Sequence, residues 1–230
     1  MMSLKKRVLL FQGPGFLEDG AVEGPLQEMG YEIQKYQHFP RQAQSTEIDL
    51  GPDDTLILRS MSAGSLEDWV YTKVLGRSLL SLGKQIASKN LDQRPRIVAT
   101  GRWALGSLFA GFLGDLAKHS IQYGWRNLSA EGALASWIRC KTSSGEHYYV
   151  LKTSDLVIDL QGASLAPILQ SSTGATLGWL FENRVFLFAC DPFSLMEGSQ
   201  LPDYGYENQE DLLNGAHYLM NLLGAAKSEY

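Results

Sequence analysis

The sequence predicts an α/β fold in three layers, α/β/α, with a mainly parallel central sheet and an antiparallel β excursion in the second half. Two observations carry this expectation. Through the first half, short apolar runs alternate with segments of helical period, the pattern of βαβ units wound around a parallel sheet. From Trp137 onward, strand-like runs instead follow one another through short polar turns, as antiparallel hairpins do.

Taken in order, Arg7 to Gln12 is a continuous apolar run stopped by Gly13-Pro14-Gly15, which suits a buried strand feeding a tight loop. Glu18 to Met29 has helical character, although Gly24-Pro25 must kink that helix or delay its start. Tyr31 to Tyr36 reads as a second strand and Thr55 to Arg59, after Asp53-Asp54, as a third. Ser65 can cap a helix whose first turn holds Glu67 and Asp68, where the macrodipole favours acids. Its apolar stripe runs through Leu75, Leu79, Leu80, Leu82 and Ile86 and ends near Asn90. Arg96 to Thr100 is the fourth strand, followed by a sharp turn at Gly101 and a further helix, with Trp103 at the apex.

In the second half, Trp137 to Lys141 and His147 to Lys152 flank the hairpin turn Ser143-Ser-Gly-Glu146. Leu156 to Leu160, Ala175 to Phe181 and Val185 to Phe188 are strands, the last two joined at Glu182-Asn183. A terminal helix presents Leu212, Leu213, Ala216, Leu219, Met220 and Leu223 on one face. Together these elements describe a flavodoxin-like sheet with the antiparallel excursion inserted after the fourth strand.

Composition limits the function classes. A chain of 230 residues, 44% hydrophobic and 10% aromatic, is expected to fold as a single domain over residues 1–230. Its net charge of −5 is spread among mixed charges, which argues against a nucleic-acid groove or a basic membrane face. The basic cluster Lys5-Lys6-Arg7 precedes too short an apolar run for a signal peptide, and no stretch approaches the roughly 18 apolar residues of a spanning helix. A soluble, cytoplasmic protein is expected. Cys140 and Cys190 lack a CxxC partner and are expected as buried thiols rather than a disulfide or zinc site. His38, His119, His147 and His217 share no ligand spacing, so neither a metal nor another cofactor is expected.

Several local strings, in this order and spacing, resemble the class I glutamine amidotransferase superfamily. In that family a strand ends in a G-x-C-x-G turn, where a cysteine at the elbow is activated by the following helix N-terminus. Gly101-Arg102-Trp103-Ala104-Leu105 matches this elbow, with Leu108-Phe-Ala110 and Leu113-Gly114 matching the helix, so Trp103 falls at the cysteine. Ile121-Gln-Tyr-Gly-Trp125 is similar to the family's E-I-G-W string, and Leu160-Gln-Gly-Ala163 with Leu165-Ala166 to its L-P-x-G-A segment. Arg59-Ser60-Met61-Ser62 keeps the Met-Ser of the family's oxyanion segment but lacks its two glycines. The closing Q-F-H-P-E is matched by Ala189-Cys190-Asp191-Pro192-Phe193, which puts Asp191 at the base and Phe193 at its orienting glutamate.

The resemblance therefore implies the fold and argues against the activity. Glutamine hydrolysis through a thioester requires a thiolate, a base about 3 Å from it, and donors for the oxyanion. An indole is not a nucleophile under these conditions, a carboxylate at Asp191 is a poor base for it, and the Phe193 ring cannot orient a base by hydrogen bonding. The expected function is a non-catalytic domain that binds a small anionic ligand or a protein partner at the altered site, with a homo-oligomer compatible with either. The alternative is a hydrolase or amidotransferase of non-standard chemistry on the same fold, using Asp191 with Arg59 or Arg102.

The candidate ligand-binding residues are Arg59, Ser60, Arg102, Trp103 and Asp191, all expected at the carboxyl ends of parallel strands, the edge where open α/β sheets bind ligands. Each has a structural reading as well. Two guanidinium groups there can grip a carboxylate or phosphate, or they can form internal ion pairs, Asp191 being an available partner. Trp103 can line a cavity or fill it. Cys190 neighbours Asp191, and strand alternation would point the two to opposite faces. Gly13-Pro14-Gly15 lacks the pattern of a phosphate loop and is expected as a plain turn.

Overall fold

In the computed structural model, the structure describes residues 6–12, 22–36, 50–59, 85–101, 121–128, 137–151, 156–193, 218 and 221–223. Strands β1 (Arg7–Gln12), β2 (Glu32–Tyr36), β3 (Thr55–Arg59) and β4 (Arg96–Thr100) are followed by β5 (Gln122–Asn127), β6 (Trp137–Thr142) and β7 (His147–Leu151). Then come β8 (Leu156–Gln161), β9 (Leu165–Ser171), β10 (Thr176–Phe181) and β11 (Val185–Phe188). Among the described residues one nine-stranded sheet runs in the order β2-β1-β3-β4-β11-β10-β9-β6-β7, and β5 pairs with β8 in a separate antiparallel ribbon.

The first five strands of that order are mutually parallel. With β11 counted as the fifth parallel strand, 2-1-3-4-5 is the flavodoxin-like doubly wound order. From β11 to β7 every pairing is antiparallel. The whole excursion, β5 to β10, is thus inserted between the neighbouring parallel strands β4 and β11, as the sequence pattern predicts.

The centre of the sheet is apolar because it is covered on both faces. All five residues of β3 and all four of β11 are buried, so neither strand alternates. Val8, Leu9, Leu10, Phe11, Ile57, Leu58, Val98, Ala99 and Leu187 make up much of this core. At the excursion the pattern changes. In β6, Ile138, Cys140 and Thr142 are buried while Arg139 and Lys141 face out, the alternation of a sheet with one wet face.

Helix α1 (Glu23–Glu28) starts at Glu23, which places Gly24 and Pro25 in its first turn, where a missing amide costs nothing. The earlier part of the helix expected from Glu18 lies outside the described residues. So do most of the segment expected as a helix from Ser65, the helix after Gly101, and most of the terminal helix. Residues 85–87 are helical with Ile86 buried, and 221–223 are helical with Leu223 buried, consistent with the ends of two of those stripes. Among the described residues no helix is long and apolar enough to cross a membrane.

Strand β9 corrects the sequence reading, which gave residues 165–171 no strand. Pro167 removes a ladder donor and Ala166 and Gln170 are exposed, so neither propensity nor burial marks the run. It is accommodated because β6 pairs only with Leu169–Ser171, leaving Pro167 paired on the β10 side alone. The two hairpin turns are as predicted. Glu182 and Asn183 have φ of 51° and 54°, the left-handed pair of a type I′ turn between β10 and β11.

The amino-terminal edge of the sheet is stitched by polar links. Arg7 meets Asp54 at 2.7 Å, and Arg94 meets Glu182 at 3.1 Å. Arg184 donates to the carbonyls of Arg94 and Pro52, and Arg96 to that of Leu223. On the ribbon, Arg126 of β5 donates to the Thr176 carbonyl at 2.8 Å and so ties β5 and β8 to the main sheet.

Candidate functional site

At the opposite, carboxyl edge, the register aligns four residues in a row. Gln12 of β1 faces Arg59 of β3, Arg59 faces Thr100 of β4, and Thr100 faces Phe188 of β11. Just beyond, Gly101 turns with φ of 82°, a left-handed value that glycine adopts freely, and its amide donates to the Phe188 carbonyl at 2.9 Å. Gly101, where the sharp turn is expected to begin, thus sits beside the end of β11, and the rest of that turn lies outside the described residues.

Arg59 and Asp191 come together there. Arg59 Nη2 donates to Asp191 Oδ2 at 2.7 Å and Nε donates to Oδ1 at 3.4 Å, a fork-on-fork arrangement with one strong and one long arm. Both side chains are 0% exposed. Because β4 lies between β3 and β11, the pair joins the ends of two strands that do not touch each other. Of the two sequence readings for Arg59, the internal ion pair with Asp191 is the arrangement found.

Strand β11 ends at Phe188, so the alternation argument for Cys190 and Asp191 does not govern them. Both are buried, and Ala189 is still held to β10 through its amide and the Leu177 carbonyl at 2.9 Å. Cys140 and Cys190 are buried thiols not joined in a disulfide, as expected.

Phe193, at the position matching the family's glutamate, is fully buried. Its ring meets Phe188 edge-on at 5.6 Å between centroids and lies 6.4 Å from Tyr218, which in turn meets Phe188 at 6.0 Å. Edge-to-face pairs at such spacings add about 0.5–1.5 kcal/mol beyond their burial. Tyr218 was missed in the aliphatic stripe of the terminal helix, where a single aromatic carries no distinguishing signal. Gly178 was missed as well. It faces Phe188 across the β10–β11 pair, and a side chain there would lie 2.8 Å from both that ring and Leu169.

Of the remaining candidates, Ser60, Arg102 and Trp103 lie outside the described residues. Trp125, in the string that resembles E-I-G-W, sits on the β5–β8 ribbon and is 48% exposed. Among the described residues no group of three His, Cys, Asp or Glu side chains is arranged to hold a metal ion. Chemically, the arrangement at Arg59 and Asp191 is a neutralised, dehydrated pair: the carboxylate has no access to water and the guanidinium is already engaged.

No protein-family model and no curated protein sequence matches the chain. Solved structures do. A glutamine amidotransferase from Thermotoga maritima superposes with a TM-score of 0.64 at 12% identity, covering 99% of this chain and 100% of that one. A GMP synthase-type protein from Thermoplasma acidophilum gives 0.57 at 13% identity, over 99% and 96% of the two chains. The PurLQS structure from Thermotoga maritima gives 0.53 at 12% identity, over 96% and 99%. At such identities the likeness speaks for architecture alone, and together with the strand order it establishes that this chain has, along nearly its whole length, the fold of the class I glutamine amidotransferases.

Proposed function

We propose that this protein is a non-catalytic domain on the glutamine amidotransferase fold, acting by binding a small anionic ligand or a protein partner at the altered carboxyl edge. One observation carries the reading. The residue matching the family's base is an aspartate that is 0% exposed and bonded to Arg59, and the residue matching its orienting acid is a phenyl ring packed on Phe188. A base must reach the proton it removes, and a buried carboxylate facing a guanidinium reaches neither substrate nor water.

The same burial weighs against the hydrolase alternative, since Asp191 cannot activate a water it does not meet. The burial of the central strands on both faces supports the reading of a sheet covered in three layers. The test is an ammonia-release assay with L-glutamine on the purified full chain. No release above the buffer blank is expected; glutamine hydrolysis that disappears in Asp191→Asn or Trp103→Ala would overturn the proposal.

A further inference from the structure

Resting on the binding role proposed above, the geometry points to its ligand class and to what fills the site now. We propose that Asp191 is a built-in carboxylate ligand of Arg59, so that the anion site of the carboxyl edge is occupied from within and accepts an external carboxylate only in place of the Asp191 side chain.

Three observations lead to this. Arg59 stands at the carboxyl end of β3, and its register neighbour Gln12 ends β1. In the order β2-β1-β3-β4 the crevice between β1 and β3 is the topological switch point, where open α/β sheets take their ligands. Arg59 is also among the largest fully buried side chains, and the planar fork at its end matches a carboxylate through two N–H groups. Finally, Asp191 lies three residues beyond the end of β11, at an isolated bridge position rather than within that strand. It follows the end of β11 and reaches the guanidinium from the loop side, 132 residues away in sequence.

Stability does not call for an ion pair here. Replacing a buried pair with apolar side chains of similar volume is often neutral or stabilising, because desolvation offsets most of the Coulomb attraction. A guanidinium at the switch point makes better sense as a carboxylate receptor, and Asp191 supplies the carboxylate in cis. The class of ligand is then a monocarboxylate that presents two syn oxygens; a spherical anion cannot satisfy both arms of the fork.

The test removes the internal ligand and offers it back. Asp191→Ala deletes one carboxylate group, the size of formate, whereas Asp191→Gly deletes a group the size of acetate. Thermal unfolding of the full chain is followed in sodium formate, sodium acetate and sodium chloride at equal ionic strength. Formate at ten times its dissociation constant should raise the Tm of Asp191→Ala by about 3 °C over chloride. Acetate should do the same for Asp191→Gly and less for Asp191→Ala. The wild type and the apolar double variant Arg59→Met/Asp191→Leu should respond to neither. If the single variants do not fold when expressed, refolding from urea into formate, acetate or chloride reads the same difference, as soluble protein recovered only with the matching carboxylate. Equal behaviour in all three salts, or an equal response from the double variant, would overturn the inference. Ammonia release from glutamine would instead strike the non-catalytic reading, so the two failures are distinguishable.

Discussion

The guanidinium of Arg59 and the carboxylate of Asp191 meet at 2.7 Å with both side chains sealed from solvent, joining the ends of β3 and β11 across the intervening strand β4. Each charge offsets the other in this dehydrated site. Removing one partner takes this counter-charge from the other in a dehydrated site, and breaking a buried pair in this way typically costs about 3–5 kcal/mol. Arg59→Met and Asp191→Leu made singly should therefore each lower the stability measured by urea unfolding by about that amount. Made together they should recover most of the loss. A double-mutant cycle in which the two losses simply add would show that the pair is not coupled as its geometry indicates.

At the other edge of the sheet, Asp54 is tied to Arg7 and receives the Gly51 amide at 2.8 Å. Burial pushes its carboxyl pKa upward, but the hydrogen bond from Arg7, the Gly51 amide and the charge of Arg7 together outweigh it, leaving it below its ordinary 3.8. A carboxyl whose pKa is depressed on folding contributes stability above its unfolded pKa of about 3.9 and loses it as the pH falls through the folded value. Arg7 is 37% exposed, so solvent screening keeps the contribution within about 1 kcal/mol. Asp54→Asn should be less stable than the wild type at pH 7 by at most that amount. The difference should shrink once the pH drops below about 4 and close as it falls further. Urea midpoints across that range measure it, and a gap that widens in acid would contradict the assignment.

Gly178 lies where β9 and β10 slip register, and the space above its Cα is already taken. An added Cβ would sit 2.8 Å from Leu169 Cβ and from two carbons of the Phe188 ring, closer than carbon atoms pack. Gly178→Ala should cost about 1–3 kcal/mol, the usual range for overpacking a dense core. The strain falls on Phe188, which also holds Phe193 and Tyr218. Near-ultraviolet circular dichroism should register the disturbed aromatic packing together with the lower Tm, and an unchanged spectrum at unchanged stability would refute the contact.

Much of this frame is legible in the sequence, and the reasons it is or is not differ by element. Thr55–Arg59, Arg96–Thr100 and Val185–Phe188 can be read to the residue because a parallel strand covered on both faces must be apolar without interruption. The turn at Glu182-Asn183 is visible because Asn183 tolerates left-handed backbone and strand-like runs flank it on both sides. Strand β9 is invisible because Pro167 and its exposed neighbours suppress both signals, and it is specified by its partners β10 and β6 rather than by itself. At the site, the residue types at Arg59 and Asp191 signal charge at the sheet edge. That they neutralise each other depends on β11 returning beside β4, which local sequence does not encode.

Phe193 tests the altered site most directly. It matches the position of a glutamate in the resembling family, yet it is fully buried and makes an edge-on contact of 5.6 Å with Phe188. Truncation to Phe193→Ala should cost about 3–5 kcal/mol through lost burial and the cavity left behind. Phe193→Glu should cost more. It forfeits the same packing and adds a buried carboxylate whose ring neighbours offer no charged partner, a penalty of several further kcal/mol by order of magnitude. The matching change Asp191→His would set an imidazole against Arg59, exchanging an attraction for a repulsion whenever the ring is protonated. The triple variant Trp103→Cys/Asp191→His/Phe193→Glu, which writes the family's residues back into all three positions, should therefore yield a destabilised protein without glutaminase activity. The quantities to measure are the urea midpoint and ammonia release. A stable revertant that hydrolyses glutamine would mean that the surrounding frame is still shaped for catalysis, whereas the aromatic cluster indicates a core rebuilt around Phe193.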